Sequence, residues 1–281
     1  MRKWNLIRFC LLLMTVILFN VYTLTEITLG VQRINCFSYE KAWYHFRNMT
    51  CTMEQLCNFY EASECELNKF AELLTMYCGM EQSCTDAEAL EQQIAVVKSY
   101  QEADFLQLKT DILAIFDGAY CFPVGEIENK EEAGVSFYDT WNQSRSFGGE
   151  RLHEGCDIMA SENKRGIYPV YSVCDGVVDK IGWLELGGYR IGIRDSEGVY
   201  YYYAHLEDYA TDFVVGDEVK AGTLLGFMGD TGYGEEGTTG MFDVHLHFGV
   251  YVTDDNGAEV SVNSYPLLSY LWNYGYNELK D

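Results

Sequence analysis

The chain has 281 residues, 48% of them hydrophobic and 22% charged, with only three prolines. This excludes a long disordered linker and leaves ample length for a packed core without metal or disulfide staples. Forty-three acidic against 19 basic residues give a formal net charge of −24, which repels nucleic acid and excludes it as a partner.

Arg2, Lys3 and Arg8 precede an uncharged run from Phe9 to Thr25 that ends at Glu26. A run of this length lies at the short end of the roughly 17–25 residues that span a hydrocarbon core as a helix. The basic flank would stay cytoplasmic and place the rest of the chain outside. A cleaved signal peptide competes with this reading, but no small-x-small cleavage site follows Leu24. Residues 1–26 are therefore expected to form a transmembrane signal-anchor, and so acidic a protein suits work close to its tether.

Residues 27–118 read as helical. From Cys36 to Phe116 the chain is rich in Glu, Gln, Leu, Ala and Met, and its one glycine is Gly79. Leu90, Ile94, Val97, Phe105, Leu108, Ile112 and Ile115 follow steps of three and four, with Gln101 as the polar interruption. Such a stripe predicts a coiled-coil-like packing face, through which copies of the chain could associate. Cys36, Cys51, Cys57, Cys65, Cys78 and Cys84 could staple this region, with a connectivity that sequence does not supply. The absence of a CxxC pair argues against a four-cysteine zinc site. His45 reads as an ordinary helix residue.

Beyond Phe122-Pro123 short β-branched and aromatic runs alternate with glycine-bearing turns. They are 168–173, 176–181, 190–194, 199–205, 224–227 and 244–252. Residues 119–281 thus form a β-rich unit, and the tail from Tyr265 carries apolar residues suited to closing over it.

Four of the five histidines fall in this unit. His153 and Asp157 stand four apart around Gly155, a glycine expected to let the backbone turn; alone, the pair reads as a surface salt bridge. In Asp243-Val244-His245-Leu246-His247-Phe248, strand alternation turns His245 and His247 to one face and the apolar residues to the other. Two imidazoles side by side against so apolar a strand are relieved by a shared metal or catalytic site. In Tyr200-Tyr201-Tyr202-Tyr203-Ala204-His205, the same alternation puts Tyr201, Tyr203 and His205 on one face, where His205 could equally be a satisfied core residue. Two histidines and one aspartate make a three-ligand catalytic zinc set with a fourth position for water.

The stretch from about Cys121 to Pro266 resembles the M23 family of zinc metallopeptidases, the lysostaphin-like or LytM-type peptidoglycan endopeptidases. The resemblance rests on His153-x-x-x-Asp157 with Gly155, Val170-Tyr171-Ser172, Asp175-Gly176-Val177-Val178, Tyr203-Ala204-His205-Leu206, Val215-Gly216-Asp217, Gly229-Asp230-Thr231-Gly232 and His245-Leu246-His247-Phe248, in that order. It implies an α+β chain whose catalytic part is a mainly antiparallel β-sheet. It also implies one Zn2+ per chain on His153, Asp157 and His247, with His205 and His245 as the catalytic pair, one a base and the other an oxyanion contact. The implied substrate is the peptide cross-links of bacterial peptidoglycan, cut by a single-pass membrane protein on its extracytoplasmic side. The alternative is a catalytically silent zinc-binding scaffold or hydrolase activator. Cys156, beside a ligand position, departs from the pattern; pairing with Cys174 or burial is favoured over ligation. The acidic loop from Gly232 to Gly240 is expected to border the substrate groove, which leaves the bond preference open.

Overall fold

The structure, a computed structural model, describes residues 2–34, 37–125, 134–147, 149–254 and 256–275. A first helix, α1, runs from Arg2 to Ile34. Among the described residues no helix is long and apolar enough to cross a membrane, which corrects the expected transmembrane anchor. The uncharged run is too short between Arg8 and Glu26 and is diluted by polar residues. Thr15, Asn20 and Thr25 turn back onto helix carbonyls, with Thr15 Oγ1 to Leu12 O at 2.7 Å, Asn20 Nδ2 to Val16 O at 2.8 Å and Thr25 Oγ1 to Val21 O at 2.8 Å.

Five further helices follow: α2 Tyr39–Arg47, α3 Met53–Ala62, α4 Leu67–Gly79, α5 Ala87–Tyr100 and α6 Glu102–Asp117. Their starts are written locally. The Ser38 hydroxyl accepts from Lys41 N, Thr52 and Gln55 form a reciprocal capping box, and Asp86 accepts from Glu88 N. The expected continuous coiled-coil-like helix is not what this region makes. Gln101 breaks the apolar stripe into two helices, α5 and α6. Leu90, Ile94, Val97, Phe105, Leu108, Ile112 and Ile115 are all buried in the chain's own core. Each such side chain contributes about 1.5–3 kcal/mol by leaving water, so the stripe is used within the fold. Among the described residues no disulfide staples the region: Cys51, Cys57, Cys65, Cys78 and Cys84 are free, and Cys36 lies outside the described residues.

The strands are β1 Val135–Phe137, β2 Ser144–Arg145, β3 Arg151–Leu152, β4 Cys156–Ala160, β5 Pro169–Tyr171 and β6 Gly176–Leu184. They continue with β7 Gly188–Arg194, β8 Tyr200–Tyr209, β9 Glu218–Val219, β10 Leu224–Met228, β11 His245–Thr253 and β12 Glu259–Val262. The main sheet is antiparallel, in the order β1-β4-β11-β8-β7-β6-β9, with β12 on β11 and β10 bridging β5 and β8. One face carries Ile158, Ile191, Ile193, Tyr201, Tyr203, Leu246, Phe248 and Val250 into the core. The other face is the floor of a groove. The tail forms α7, Tyr265–Tyr274, which wedges between the two parts of the chain. Its Trp272 meets Phe122 and Phe137, and its Tyr270 meets Tyr60, Phe70 and Phe116.

Candidate active site

Strands β4 and β11 lie side by side at the centre of the sheet, with Asp157 directly opposite His247. Period-two alternation then sends both side chains to the groove face, together with His245. His153, on the loop before β4, comes down over them. His153 Nε2 lies 2.8 Å from His247 Nδ1 and 3.0 Å from Asp157 Oδ1, and His247 Nδ1 lies 3.1 Å from the same carboxylate oxygen. The pairing of His153 with Asp157 is therefore a corner of a three-residue cluster at the bottom of a groove, not a surface salt bridge.

The backbone around the cluster fixes the tautomers. His153 Nδ1 faces the Thr140 carbonyl at 3.0 Å, His205 Nδ1 the Thr231 carbonyl at 2.8 Å, and His245 Nδ1 the Asp243 carbonyl at 2.7 Å. A carbonyl only accepts, so each Nδ1 carries the hydrogen and each Nε2 presents its lone pair. Nitrogen lone pairs crowded against one another and a carboxylate suit a cation: one proton relieves a single pair of atoms, a divalent ion all three. The three donor atoms lie within 4.8 Å of one another and include no sulfur, so the set fits zinc.

Electrostatics support the same state. Burial would raise the Asp157 carboxyl, but the adjoining His153 and His247 imidazoles outweigh it and hold the group well below the usual carboxylate range. Burial, reinforced by His245 and His247, holds the His205 imidazole well below its ordinary value. Burial likewise lowers His247.

His205 arrives by a route that alternation does not describe. Tyr201 and Tyr203 point into the core as expected, but His205 does not join them. It has φ +63, and the pairing of β8 with β7 and with β10 shifts register around it. This bulge turns the imidazole into the groove, at a cost of about 1–3 kcal/mol for a non-glycine residue in the left-handed region. There its ring stands 4.7 Å from His245 and 6.0 Å from His247, centroid to centroid. Gly155 also has a role other than the one expected. It serves space: a Cβ there would sit 2.6 Å from His247 Cε1 and 2.8 Å from the Phe248 carbonyl.

Cys156 points away from the cluster. It is fully buried, its thiol donates to the Tyr138 carbonyl at 3.3 Å, and it neither pairs with Cys174 nor joins the donor cluster.

Four contributing residues were not singled out in the sequence. Arg145 places Nη2 2.7 Å from Asp157 Oδ2, leaving Oδ1 for the imidazoles. Thr140 gives its carbonyl to His153 and its hydroxyl to the Asp157 N–H at 3.3 Å. Phe242 and Tyr233 pack edge-on against His205, at 4.6 and 6.2 Å. The groove has a volume of about 700 Å³ and runs from Arg151 and Tyr233 past the histidines to Tyr202, Tyr251 and Arg190. Of the acidic loop, Tyr233 lines the groove while Glu235 and Glu236 are exposed outside it.

The model of peptidase family M23 matches residues 151–262. The chain is 44% identical over 146 residues to the L-Ala–D-Glu endopeptidase of Bacillus subtilis (strain 168), covering 52% of this chain and 43% of that protein. It is 38% identical over 98 residues to glycyl-glycine endopeptidase ALE-1 of Staphylococcus capitis, covering 34% of this chain and 24% of the relative. The matches therefore span less than half the length of these curated relatives. A solved structure of a candidate glycyl-glycine endopeptidase, lytM, from Ruminococcus gnavus ATCC 29149 is 36% identical, with a TM-score of 0.70. That match covers 88% of this chain and 96% of the other, so it takes in the helices as well as the sheet. With the site geometry and a match of this extent, the chain belongs to peptidase family M23.

Proposed function

We propose that the protein is a zinc-dependent endopeptidase that hydrolyses peptide bonds of bacterial peptidoglycan. One observation carries the reading: three metal-type donors and two further imidazoles with free Nε2 lone pairs share one groove floor. His153, Asp157 and His247 would hold a single zinc ion, and Arg145 and Thr140 orient that set. When bound, the ion supplies Lewis acidity, lowering the pKa of a water toward about 7 and polarising the scissile carbonyl.

The chain's own residues then manage protons. His205, kept neutral by burial, takes a proton from the attacking water at Nε2 and returns it to the departing amide nitrogen. His245, with Nδ1 held by the Asp243 carbonyl at 2.7 Å and its ring 4.7 Å from that of His205, is placed to contact the developing oxyanion. A scaffold has no use for this second pair of imidazoles. The substrate lies outside the cytoplasm, so the proposal puts the catalytic unit on that side.

The test is digestion of purified peptidoglycan by the full chain with zinc, with chelator, and with chelator followed by zinc, the products being read by mass spectrometry. Soluble muropeptides in the first and third conditions and none in the second are expected. Full zinc occupancy with no bond cut would establish the silent scaffold instead.

A further inference from the structure

We propose that Arg190 forms a carboxylate-recognition subsite in the groove, selecting peptides that carry a free carboxylate next to the scissile bond. This rests on the peptidase reading above and names the substrate chemistry of the same groove. Four cations line the groove. Arg145 is held by Asp157 at 2.7 Å, and Lys180 by Glu259 at 3.0 Å. Arg151 donates to the Phe147 carbonyl at 2.9 Å and to the Tyr233 hydroxyl at 3.1 Å, lying over that ring. Arg190 differs: its Nη1 is buried without a hydrogen-bond partner, and no carboxylate among the described residues is paired with it.

An unanswered buried guanidinium donor is costly, and a chain with net charge −24 has acidic side chains enough to answer it. Its persistence at the groove wall points to an anion supplied from outside. Arg190 belongs to the groove face of β7, whose alternate residues Ile191 and Ile193 are buried in the core. Beside it on β8 and β11 stand Tyr200, Tyr202 and Tyr251, whose rings lie 5.8–6.3 Å apart. Tyr202 in turn lies 5.8 Å from the His247 ring, so this end of the groove adjoins the ligand cluster. Aromatic walls exclude water and strengthen a guanidinium–carboxylate pair, and the planar fork of arginine matches a carboxylate in two hydrogen bonds.

Peptide chemistry says which substrates present such a group. A glutamyl residue uses one carboxyl in the chain and keeps the other free, so a bond between alanine and glutamate always has a carboxylate one residue from the cut. A glycyl-glycine bond offers none. The groove therefore fits the first kind of bond.

Two peptides test this with the zinc-loaded full chain: N-acetyl-L-Ala–D-Glu–L-Lys, and its counterpart with a carboxamide in place of the free glutamyl carboxylate. Binding is read by calorimetry and cleavage by kcat/KM. The acid should be preferred over the amide by roughly ten- to hundredfold, as expected for a charge-assisted pair. In Arg190→Gln the ratio should collapse toward one, and in Arg190→Lys, which keeps the charge without the fork, it should fall between. A wild-type ratio near one, or a ratio unchanged in Arg190→Gln, overturns the subsite. If neither peptide is cut but the acid binds more tightly and Arg190→Gln removes that difference, the subsite stands and the peptidase reading falls. If neither peptide binds or is cut while an oligoglycine is, the subsite is overturned and the peptidase reading survives.

Discussion

The side chain of Asn48, just past the end of α2, accepts a hydrogen bond from the indole N–H of Trp141 at 3.0 Å. The same oxygen accepts from Asn142 Nδ2, also at 3.0 Å. Trp141 follows Thr140, whose carbonyl takes the Nδ1–H of His153, and the Asn142 N–H donates to the His153 carbonyl at 2.9 Å. The loop is held from a second side by Asn263, whose Nδ2 donates to Asp139 and to the Met49 carbonyl at 2.9 Å. Arg47, at the end of α2, adds a hydrogen bond to the Ser261 carbonyl at 2.9 Å and a 3.8 Å ion pair with Glu154, the neighbour of His153. The helices thus build the wall that orients one ligand of a site otherwise made by the sheet.

Asn48→Ala removes the acceptor shared by Trp141 and Asn142. A loss of about 1–2 kcal/mol in unfolding free energy is expected, since each such bond is worth ~1 kcal/mol. Zinc affinity, measured by chelator competition, should fall about tenfold, as for other residues that orient a ligating histidine. Unchanged zinc affinity would show that the helices are only a neighbour of the site.

Gly155→Ala places a methyl where the His247 ring now sits. Zinc affinity should drop by about 10- to 100-fold, while the β-sheet signature in circular dichroism is retained. Arg145→Ala should weaken zinc by a similar factor through loss of the 2.7 Å bond to Asp157 Oδ2. The two defects arise on different ligands, and metal titrations of the single and double variants compare them.

His205→Ala and Asp157→Ala should separate chemistry from metal binding. The first keeps its zinc and loses about 10²–10⁴-fold in kcat, the range for removal of a general base. The second loses the metal and the activity together. Comparable zinc loss in both variants would contradict the roles assigned.

The direction of the His205 shift gives a pH prediction. A lowered pKa means that the neutral form, the one able to accept a proton, persists as pH falls and is lost only below the ordinary value of about 6.5. In a histidine-selective nuclear magnetic resonance titration, His205 should keep its neutral Nδ1–H tautomer at pH 6. An ordinary imidazole is mostly protonated there, and such behaviour at His205 would contradict the account.

Much of the site is legible in the sequence because β11 obeys a period of two. His245 and His247 share a face, and the apolar residues between them fill the core. Six short strands are also readable from their β-branched and aromatic runs. β4 was not among them, although it carries Asp157; its five residues, Cys156–Ala160, follow a glycine and include a charge in mid-strand. His205 escaped simple alternation because a bulge, invisible in side-chain pattern, rotates it into the groove. Arg145 and Thr140 lie in or beside very short strands whose pairing is set by tertiary contacts. The helical stripe is legible as apolar, but periodicity marks a buried face without saying which partner covers it, and here the chain's own core does. The first helix shows the converse: an uncharged run does not span a membrane when threonines and an asparagine dilute it between two charges.

Zinc K-edge X-ray absorption of the full chain loaded with one equivalent of zinc tests the centre of the account most directly. Coordination by His153, Asp157 and His247 predicts only nitrogen and oxygen neighbours, at about 2.0–2.2 Å, with imidazole scattering from two rings. A sulfur shell at about 2.3 Å, which would put Cys156 or another thiol on the metal, or scattering from fewer than two imidazoles, would contradict it.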